Sequence, residues 1–375
     1  MPTAVVDLMQ SYDQSDVAME SVADGIHMIS PVDTPLQLML TKVQGRAVQE
    51  KWIEDELLPQ KSTSQATIAN TTATTVTFAT GDGAKCLPND VASFNSIIMI
   101  DQEAMLVTAI STDTATVTRG HGSTTKATHA ADAPIHVIGH LETEGADAKK
   151  AWSTARTKPS NYHQTFSRKV EVSGVQEAIE KLGGIRSEVD YQILMAMRHL
   201  ALELEKTLLY GPADAAGDAT TPRTMGGLWH MVATNRTSDS GSIDEDAIEA
   251  DIETIWTAGG TPNVIITTGK LAQDISKLYS DRIRTDIINT VGGVNVTAIV
   301  DVLSNGPLFI IPHRGMMVGQ YFMLDMTRIA LSFLRPFFMK PLAEAGDMHE
   351  RWIGGDYTLE VMNETAHAYR YGFTE

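Results

Sequence analysis

The chain has 375 residues, of which 43% are hydrophobic, and a formal net charge of −18. This length favours two or three domains with sizeable cores. The negative charge repels phosphate backbones and anionic lipid head groups, so the composition argues against a protein that coats nucleic acid by electrostatic attraction.

The first 41 residues are predicted to form a short amphipathic arm. Pro31 and Pro35 interrupt any long helix there. No lysine or arginine precedes Lys42, and no apolar run approaches the roughly 18 residues that span a bilayer, which predicts neither a signal peptide nor a membrane helix. The expected location is therefore a cytosol. The arm carries six acidic residues: Asp7, Asp13, Asp16, Glu20, Asp24 and Asp33.

Residues from about Gln60 to Leu141 are predicted to form a small all-β module. Threonine and serine are dense here, and short runs such as AMLVTAI and TATVT are separated by turns at GDG, LPND and GHG. Strands with one buried face and one solvent-exposed face favour a compact barrel or a sandwich. Cys86 is the only cysteine, which excludes an internal disulfide and a cysteine-based metal cluster.

The strongest helix signal lies between Ser187 and Tyr210, after a strand-like run NYHQTFSRKVEVSG and a short helical stretch VQEAIEKL. Ser187 followed by Asp190 is typical of an N-terminal cap, while Gly211 and Pro212 end the helix. A long amphipathic helix needs a surface to pack against. It is therefore predicted to be the central structural element of a domain. Its predicted apolar face comprises Val189, Ile193, Met197, Leu200, Leu204 and Leu208.

The next segment is predicted to form an α/β lobe. Ser242 with Glu245 indicates the start of an amphipathic helix that ends near Gly259 and includes Trp256 on its apolar face. The run NVIITT predicts a buried strand and KLAQDISKLY a helix, followed by strand candidates VNVTAIVDVL and PLFIIP.

The last segment, after Tyr321, is predicted to be rich in strands. The runs YFMLD, IALSFL, YTLEVMN and AHAYRYGF alternate with turns, and a loop containing Pro336 and Pro341 is expected among them. These strands should pair with earlier ones. The sequence shows no internal repeat of fixed period.

The sequence motifs that could indicate catalysis, metal binding or phosphate binding are weak. His136 and His140 are four residues apart, but on a strand this spacing does not bring two imidazoles together, so ordinary polar positions are favoured over a metal site. The run GHGST at 120–124 lacks the residue order of a serine nucleophile elbow and is interpreted as a turn. The run GDGAK at 81–85 matches no phosphate-binding fingerprint.

Charged residues elsewhere have structural interpretations. Asp244, Glu245 and Asp246 fall in the first turn of a predicted helix, where the helix dipole favours negative charge. Arg282 and Arg284 lie in a mixed-charge segment with Asp281 and Asp286, which favours a solvated surface or a subunit contact over a binding loop. We therefore predict no catalytic residue, no cofactor and no metal. Histidines without a ligand-spaced partner are interpreted as structural: His163, His199, His313 and His367.

Four separated blocks of the sequence resemble a known family, in order along the chain. The blocks are YDQSDVAMESVADGIHMISPVDTPL, VEVSGVQEAIEKLGG, TIWTAGGTPNVIITTGKLAQDIS, and FLRPFFMKPLAEAGD with YTLEVMNETAHAYRYGF. Together they resemble the major capsid proteins of tailed bacteriophages, in the SU10-like branch of the Hong Kong 97 fold. The resemblance covers most of the chain outside the β module.

The resemblance implies an α+β capsid fold with a defined domain order. Relatives pass from a segment such as KWIEDELL almost directly to EGADA, whereas here the β module separates the two, so we interpret it as an insertion at a loop tip. The implied domains are an N-terminal arm (1–41), extended loop limbs (42–172) carrying the all-β insertion (about 60–141), a peripheral domain (173–224) with a spine helix (187–210), an axial domain (225–317), and C-terminal strands (318–375) that return to the peripheral domain.

The implied function is mechanical. Copies of the chain would assemble through hexamers and pentamers into an icosahedral head shell in the bacterial host cytoplasm, and the shell would enclose packaged double-stranded DNA without binding it specifically. A portal and possible scaffold or decoration proteins are the other implied partners, and no membrane is involved. Trp52, Arg335 and Phe337 are expected near subunit contacts, because they are large apolar or forked cationic residues in predicted loops.

Two alternatives stay open at this point. The first is an encapsulin-type compartment, which has the same fold and encloses enzymes. The second is a cytosolic enzyme or sugar-binding protein that uses the β module as its active domain. The module could also brace neighbouring capsomers or decorate the outside of a shell, and the sequence does not choose between these two roles.

Overall fold

The computed structural model describes residues 34–57, 59–87, 95–141, 144–145, 156–180, 186–214, 217, 220–279, 283–284, 290–291, 294–295, 297–304, 306–344 and 346–374. Residues 1–33, which make up most of the expected arm, lie outside these ranges, as do Asp281, Arg282 and Asp286. The chain divides into two compact units, Met1–Trp52 with Pro159–Glu375, and Ile53–Lys158.

The helices in chain order are α1 (Pro35–Met39), α2 (Gly83–Cys86), α3 (Gly174–Ala178), α4 (Glu188–Tyr210), α5 (Leu228–Met231), α6 (Glu245–Thr257) and α7 (Gly269–Leu278). No helix among the described residues has the length and apolarity that a bilayer crossing requires.

The strands in chain order are β1 (Thr41–Gln44), β2 (Gln49–Lys51), β3 (Lys61–Thr63), β4 (Thr75–Thr77), β5 (Asn95–Ile100), β6 (Glu103–Ser111), β7 (Thr114–Thr118), β8 (Pro134–Leu141), β9 (Ser160–Tyr162), β10 (Gln164–Ser173), β11 (Arg236–Gly241), β12 (Val264–Thr267), β13 (Ile283–Arg284), β14 (Thr290–Val291), β15 (Val294–Asn295), β16 (Thr297–Val300), β17 (Pro307–Pro312), β18 (Gln320–Leu324), β19 (Ile329–Pro341), β20 (Met348–Val361) and β21 (Ala368–Phe373).

Helix α4 begins as its sequence predicts. The Ser187 hydroxyl accepts a hydrogen bond from the Asp190 backbone N–H at 3.1 Å. A second cap comes from α3, where the Glu177 carboxylate accepts the backbone N–H groups of Glu188 and Val189 at 2.8 and 3.3 Å. With its first N–H groups satisfied, the helix extends over 23 residues, which corresponds to about 35 Å.

The buried face of α4 differs from the predicted one at a single turn. Met197 is 46% exposed, and Ala196 is buried in its place. Apolar spacings of three and four both fit a helix, so periodicity alone did not separate positions 196 and 197. The face packs against the first unit's main core, which also holds residues of two sheets.

The first of these sheets has four strands in the order β1-β19-β20-β10. The predicted loop at Pro336 and Pro341 is wrong, because both residues lie inside β19. The register of β19 on β20 shifts around Arg335, and β1 pairs only with residues 330–333 of β19. Pro336 therefore lies at an irregular place on an open edge, where its missing N–H breaks no ladder.

The second sheet has seven strands in the order β11-β21-β18-β12-β17-β16-β13 and is covered on both faces. Val264 and Ile266 of β12 pack in the core that contains α4, while Ile265 packs in the core that contains α6 and α7. Burial on both faces explains why this strand is a continuous apolar run.

Two details of the prediction for α6 are wrong. Its N-cap is Asp244, whose side chain accepts the Ala247 N–H at 2.9 Å, and not Ser242. Trp256 is 52% exposed and does not belong to the buried face. The helix ends before Gly259, whose φ of +82° suits glycine, as its sequence predicts.

The strands between residues 318 and 375 do not all return to one sheet. β19 and β20 lie in the four-stranded sheet beside α4, whereas β18 and β21 lie in the seven-stranded sheet. β18 pairs with β12, and β21 pairs with both β18 and β11. Alternation marks a strand without naming its neighbour, so this division could not be read from the sequence.

The second unit contains a six-stranded sheet in the order β3-β8-β5-β6-β7-β4. The Ala79 N–H donates to the Thr63 carbonyl and the Gln65 N–H to the Thr77 carbonyl, at 2.9 and 2.8 Å, so the two outer strands meet and close the sheet into a small barrel. The module has its own apolar core, with Phe78 at its centre.

Candidate functional site

The outer half of the β19–β20 hairpin brings together two of the three residues expected at contacts. Beyond residue 333, β19 has no partner strand on its outer side among the described residues. Arg335 is half exposed along this open edge, and Phe337 is partly buried two residues further on. An open edge is a place where a strand can meet another chain, and proline and lysine are residues that limit unspecific pairing there. Pro336 and Lys340 occupy this segment.

Arg335 is held in place by a buried carboxylate. Its Nε donates to Asp356 Oδ2, and the Thr165 hydroxyl donates to Asp356 Oδ1 at 2.7 Å. Burial raises the pKa of Asp356, but the hydrogen bonds from Arg335 and Thr165 outweigh it, so the net pKa lies below its ordinary value. The guanidinium also lies 5.3 Å from the ring centroid of Phe338. One face of Arg335 is thus fixed inside the subunit while the other faces solvent.

Phe337 belongs to an aromatic cluster on the same hairpin. Its ring centroid lies 4.8 Å from that of Tyr357, and the Tyr357 hydroxyl accepts the Phe337 N–H at 2.9 Å. A Cβ atom at Gly355 would approach both rings to 2.8 Å. The glycine therefore leaves the space in which the two rings meet, and the cluster stiffens the open edge.

A second pair of rings continues this cluster. Phe338 and Trp352 pack edge to face with their centroids 5.3 Å apart. A Cβ atom at Gly354 would approach the Trp352 ring to 2.6 Å, so this position also favours glycine. Trp352, Asp356 and Tyr357 were not predicted from the sequence. A Gly-Gly pair inside a strand pattern is a signal of close approach that could have found them.

Trp52 lies at a different place. It follows a two-stranded ribbon in which β2 pairs with β9, and its N–H donates to the Pro159 carbonyl at 3.3 Å. Only 8% of Trp52 is exposed. Since the side chain is buried within the chain, it offers little surface to another copy, and its place near a subunit contact stays a prediction.

The root of the ribbon is held by a buried asparagine. The Asn161 amide donates to the carbonyls of Gly226 and Leu359 at 2.9 and 2.8 Å, and its oxygen accepts the Gly226 N–H at 2.9 Å. These bonds join the ribbon to segments about 65 and 198 residues away along the chain. The ribbon is therefore anchored to two distant segments of the first unit.

A groove of about 690 Å³ runs between β10 and α4. Its two cationic lining residues are paired with carboxylates: Lys169 Nζ lies 2.9 Å from a Glu350 carboxylate oxygen, and Arg168 lies 3.9 Å from Glu203. A small-molecule site typically has an apolar lining with a few convergent polar groups. The lining of this groove is mainly charged and polar, so it does not resemble such a site.

Histidines and glycine-rich turns are built into the structure of each unit. His140 accepts or donates one hydrogen bond with the Ser96 hydroxyl at 2.7 Å. Residues 121–123 form a short 3-10 helix in the turn that GHGST predicts. The Cys86 thiol is buried, and burial raises its pKa to about 11, which keeps it unreactive. Within the described ranges, no three His, Cys, Asp or Glu side chains converge as metal ligands.

Two further histidines lie in the core of the first unit. His367 is fully buried, and its Nδ1 accepts the Asp325 N–H at 3.2 Å. Burial lowers the pKa of His367 to about 4, so this imidazole is neutral at physiological pH. Burial also lowers the pKa of His163. His199, by contrast, is exposed on α4.

Comparison with known proteins gives one family and a consistent fold. The sequence matches the SU10 major capsid protein family over residues 6–372. Among curated proteins, none matches the sequence. Similar solved structures include the cyanophage A-1(L) capsid asymmetric unit, with a TM-score of 0.57 and 11% identity over 98% of this chain and 100% of that chain. The capsid of a native GTA particle has a TM-score of 0.53 and 7% identity over 98% of this chain and 100% of that chain. Mycobacterium phage Bobi has a TM-score of 0.52 and 10% identity over 98% of this chain and 99% of that chain.

Proposed function

The chain belongs to the SU10 major capsid protein family, and on that premise we propose that its copies close, through hexamers and pentamers, into the icosahedral head shell of a tailed bacteriophage around packaged double-stranded DNA. The observation that carries this proposal is the family match over residues 6–372. The fold shared with three solved structures, two of them capsids by name, agrees with it. The match favours a head shell over an encapsulin-type compartment, and a structural role over a catalytic one.

The charge of the protein supports enclosure of DNA without specific binding. A net charge of −18 opposes close contact with a phosphate backbone, so the shell would retain DNA by its closed volume together with counterions. A portal and scaffold or decoration proteins would be further partners. The protein would reside in the virion after assembly in the host cytoplasm.

The domain order follows the capsid scheme with one change. We assign residues 1–41 to the arm, 42–172 to the extended loop, 173–224 to the peripheral domain with α4, and 225–317 to the axial domain. The four-stranded sheet takes β19 and β20 from the C-terminal segment, and the seven-stranded sheet takes β18 and β21. The barrel is assigned as an insertion in the extended loop, supported by its separate core.

Electron microscopy of the purified recombinant chain tests the proposal. We expect closed polyhedral or spherical particles, or rings of six and five subunits. A monomer at all concentrations, or turnover of a substrate, would contradict it.

Arg335 is proposed to contact a neighbouring copy, and its replacement by alanine is expected to reduce particle yield several-fold. The same change leaves the buried Asp356 carboxylate without its cation, which also destabilises the subunit. The double variant Arg335→Ala with Asp356→Asn removes that buried charge. It should recover most of the melting temperature of the unassembled subunit without recovering the yield.

The double variant separates the two roles of Arg335. If particle yield returns together with the melting temperature, Arg335 acts only inside its own subunit. Lys340→Ala, on the same exposed edge, is the control for loss of a single positive charge. Trp52→Ala is unsuitable for this test, because removing a buried tryptophan costs about 3–5 kcal/mol of stability by itself.

Removal of the barrel is expected to leave the rest of the subunit folded. Glu54 and Thr157 exchange both backbone hydrogen bonds at 3.0 Å, so the two ends of the module are already adjacent. A short Gly-Ser linker can therefore replace residues 55–156 at little entropic cost. We expect the helical circular dichroism signal of α4 and the melting transition of the first unit to persist. Loss of soluble, cooperatively melting protein would contradict the assignment of the barrel as an insertion.

A further inference from the structure

Helix α4 carries a buried carboxylate that its apolar periodicity does not explain. Glu205 is 1% exposed and lies among the core residues of the first unit. Among the described residues, its one ion-pair partner is His313, at 3.0 Å from His313 Nε2. A buried carboxylate without a lysine or arginine is costly unless hydrogen bonds satisfy it. The hydrogen-bond partners of Glu205 therefore indicate its structural role.

Both carboxylate oxygens of Glu205 bind the start of α1. Oε1 accepts the Leu36 N–H at 2.7 Å and Oε2 accepts the Gln37 N–H at 3.1 Å. Pro35, the first residue of α1, has no N–H, and Thr34 makes no side-chain cap. Glu205 thus supplies from another helix the cap that α1 lacks.

His313 completes the arrangement. The Gly315 N–H donates to His313 Nδ1 at 2.9 Å, so Nδ1 is the unprotonated ring nitrogen and Nε2–H donates to Glu205. His313 directly follows β17, so the carboxylate joins α1 and α4 to the seven-stranded sheet. The Gln37 amide adds a hydrogen bond of 2.6 Å to the Ala201 carbonyl of α4.

Helix α1 is held by these contacts and by Leu36 and Leu40, which are buried in the main core of the first unit. It has five residues, and a helix of that length does not persist in water without tertiary support. Helix α4 contributes a much longer apolar face to the same core, from Val189 to Leu208. Loss of the Glu205 carboxylate should therefore loosen the first turn of α1 while α4 stays packed.

We propose that Glu205, with His313, is a positioning residue for assembly: it fixes the first turn of α1 at Leu36 and Gln37, and so the point from which residues 1–33 can reach a neighbouring copy. This inference rests on the proposed function. Residues 1–33 carry six acidic side chains and no lysine or arginine, so unspecific contact with other acidic copies of the chain is unfavourable. A fixed start of α1 limits the positions that these residues can reach.

The first test is hydrogen exchange of the full-length subunit with Glu205→Gln. The amide NH₂ of glutamine cannot accept from an N–H, so one of the two capping bonds is lost. We expect exchange at residues 36–40 to become about tenfold faster, as for a lost cap, with protection of 188–210 retained. Glu203→Gln, on the exposed side of the same helix, should behave as the wild type. Unchanged exchange at 36–40, or equal loosening of α4, overturns the proposal.

The second test is assembly in two backgrounds. Glu205→Gln should reduce particle yield several-fold in the full-length chain and cause no further loss in a chain lacking residues 2–33. An equal loss in both backgrounds shows that Glu205 acts through fold stability and overturns the proposal, as does a full-length variant that assembles normally. If the truncated chain forms no particles, the exchange result decides. Failure of the wild type to assemble would contradict the proposed function, while the exchange test of the subunit still stands.

Discussion

Replacement of Asp251 by alanine is expected to lower the free energy of unfolding of the first unit by about 3–5 kcal/mol. Asp251 on α6 accepts two hydrogen bonds from Arg370 of β21, at 3.0 and 2.7 Å, and one from the Tyr321 hydroxyl at 2.6 Å. Without it, a buried guanidinium keeps only Asp239, at 2.9 Å, as a carboxylate partner. Urea denaturation of the unassembled full-length chain, followed by far-ultraviolet circular dichroism, measures this loss.

The Asp251 prediction has a control on the same helix. Glu253 is two residues further on and exposed, so Glu253→Ala should change stability by less than about 0.5 kcal/mol. Burial raises the pKa of Tyr321, and the nearby Asp251 raises it further, so the hydroxyl stays protonated as a donor. A loss below about 1 kcal/mol for Asp251→Ala would show that water reaches Arg370 and that the group is not sealed in the core.

Replacement of Glu103 by glutamine is expected to destabilise the barrel by about 3–5 kcal/mol. Glu103 receives two hydrogen bonds from Arg119, at 2.7 and 2.6 Å, and backbone bonds from Gly120 and Ala127 at 3.1 and 2.8 Å. His129 Nε2 lies 3.1 Å away. Glutamine removes the negative charge beside the buried Arg119. Its NH₂ group also places a donor where the surrounding N–H groups need an acceptor. Hydrogen exchange of peptides from 95–141 locates the loss in the barrel.

The stability of the barrel is expected to fall in acid because of the Glu103 carboxylate. Burial raises the pKa of Glu103, but the bonds from Arg119, Ala127 and His129 outweigh it and hold the pKa at about 2, against 4.5 ordinarily. The unfolded chain therefore takes up this proton first, and stability present above pH 4.5 is lost as the pH falls toward 2, by about 3 kcal/mol in total. Glu103→Gln should lack this part of the pH dependence. Asp55→Asn, which breaks an exposed ion pair with Arg156, should retain it.

Local signals in the sequence predicted local structure well. Ser187, Gly211 and Gly259 set helix ends through interactions with atoms a few residues away, and the structure confirms the ends they predict. Residue choices that depend on a single helical turn were less certain, as Met197 and Trp256 show. Pro336 predicted a loop because proline lacks an N–H, but an open strand edge tolerates that loss equally well.

The candidate contacts could be predicted by residue type and not by arrangement. Arg335 and Phe337 were chosen from the sequence, yet the groups that hold them, Asp356 and Tyr357, lie about 20 residues further along the chain. The Glu205 carboxylate and the N–H of Leu36 are separated by 169 residues. No periodicity or capping rule connects positions so far apart.

The sequence by itself determined the acidic charge, the long capped helix, the β module and the family, because each of these depends on composition or on neighbours within a few turns. The tertiary structure alone decided which sheet takes each C-terminal strand, which faces are open, and which buried charges meet. The physical reason is that strand pairing and buried hydrogen bonds form between distant residues, and their free energy depends on geometry that exists only after the chain has folded.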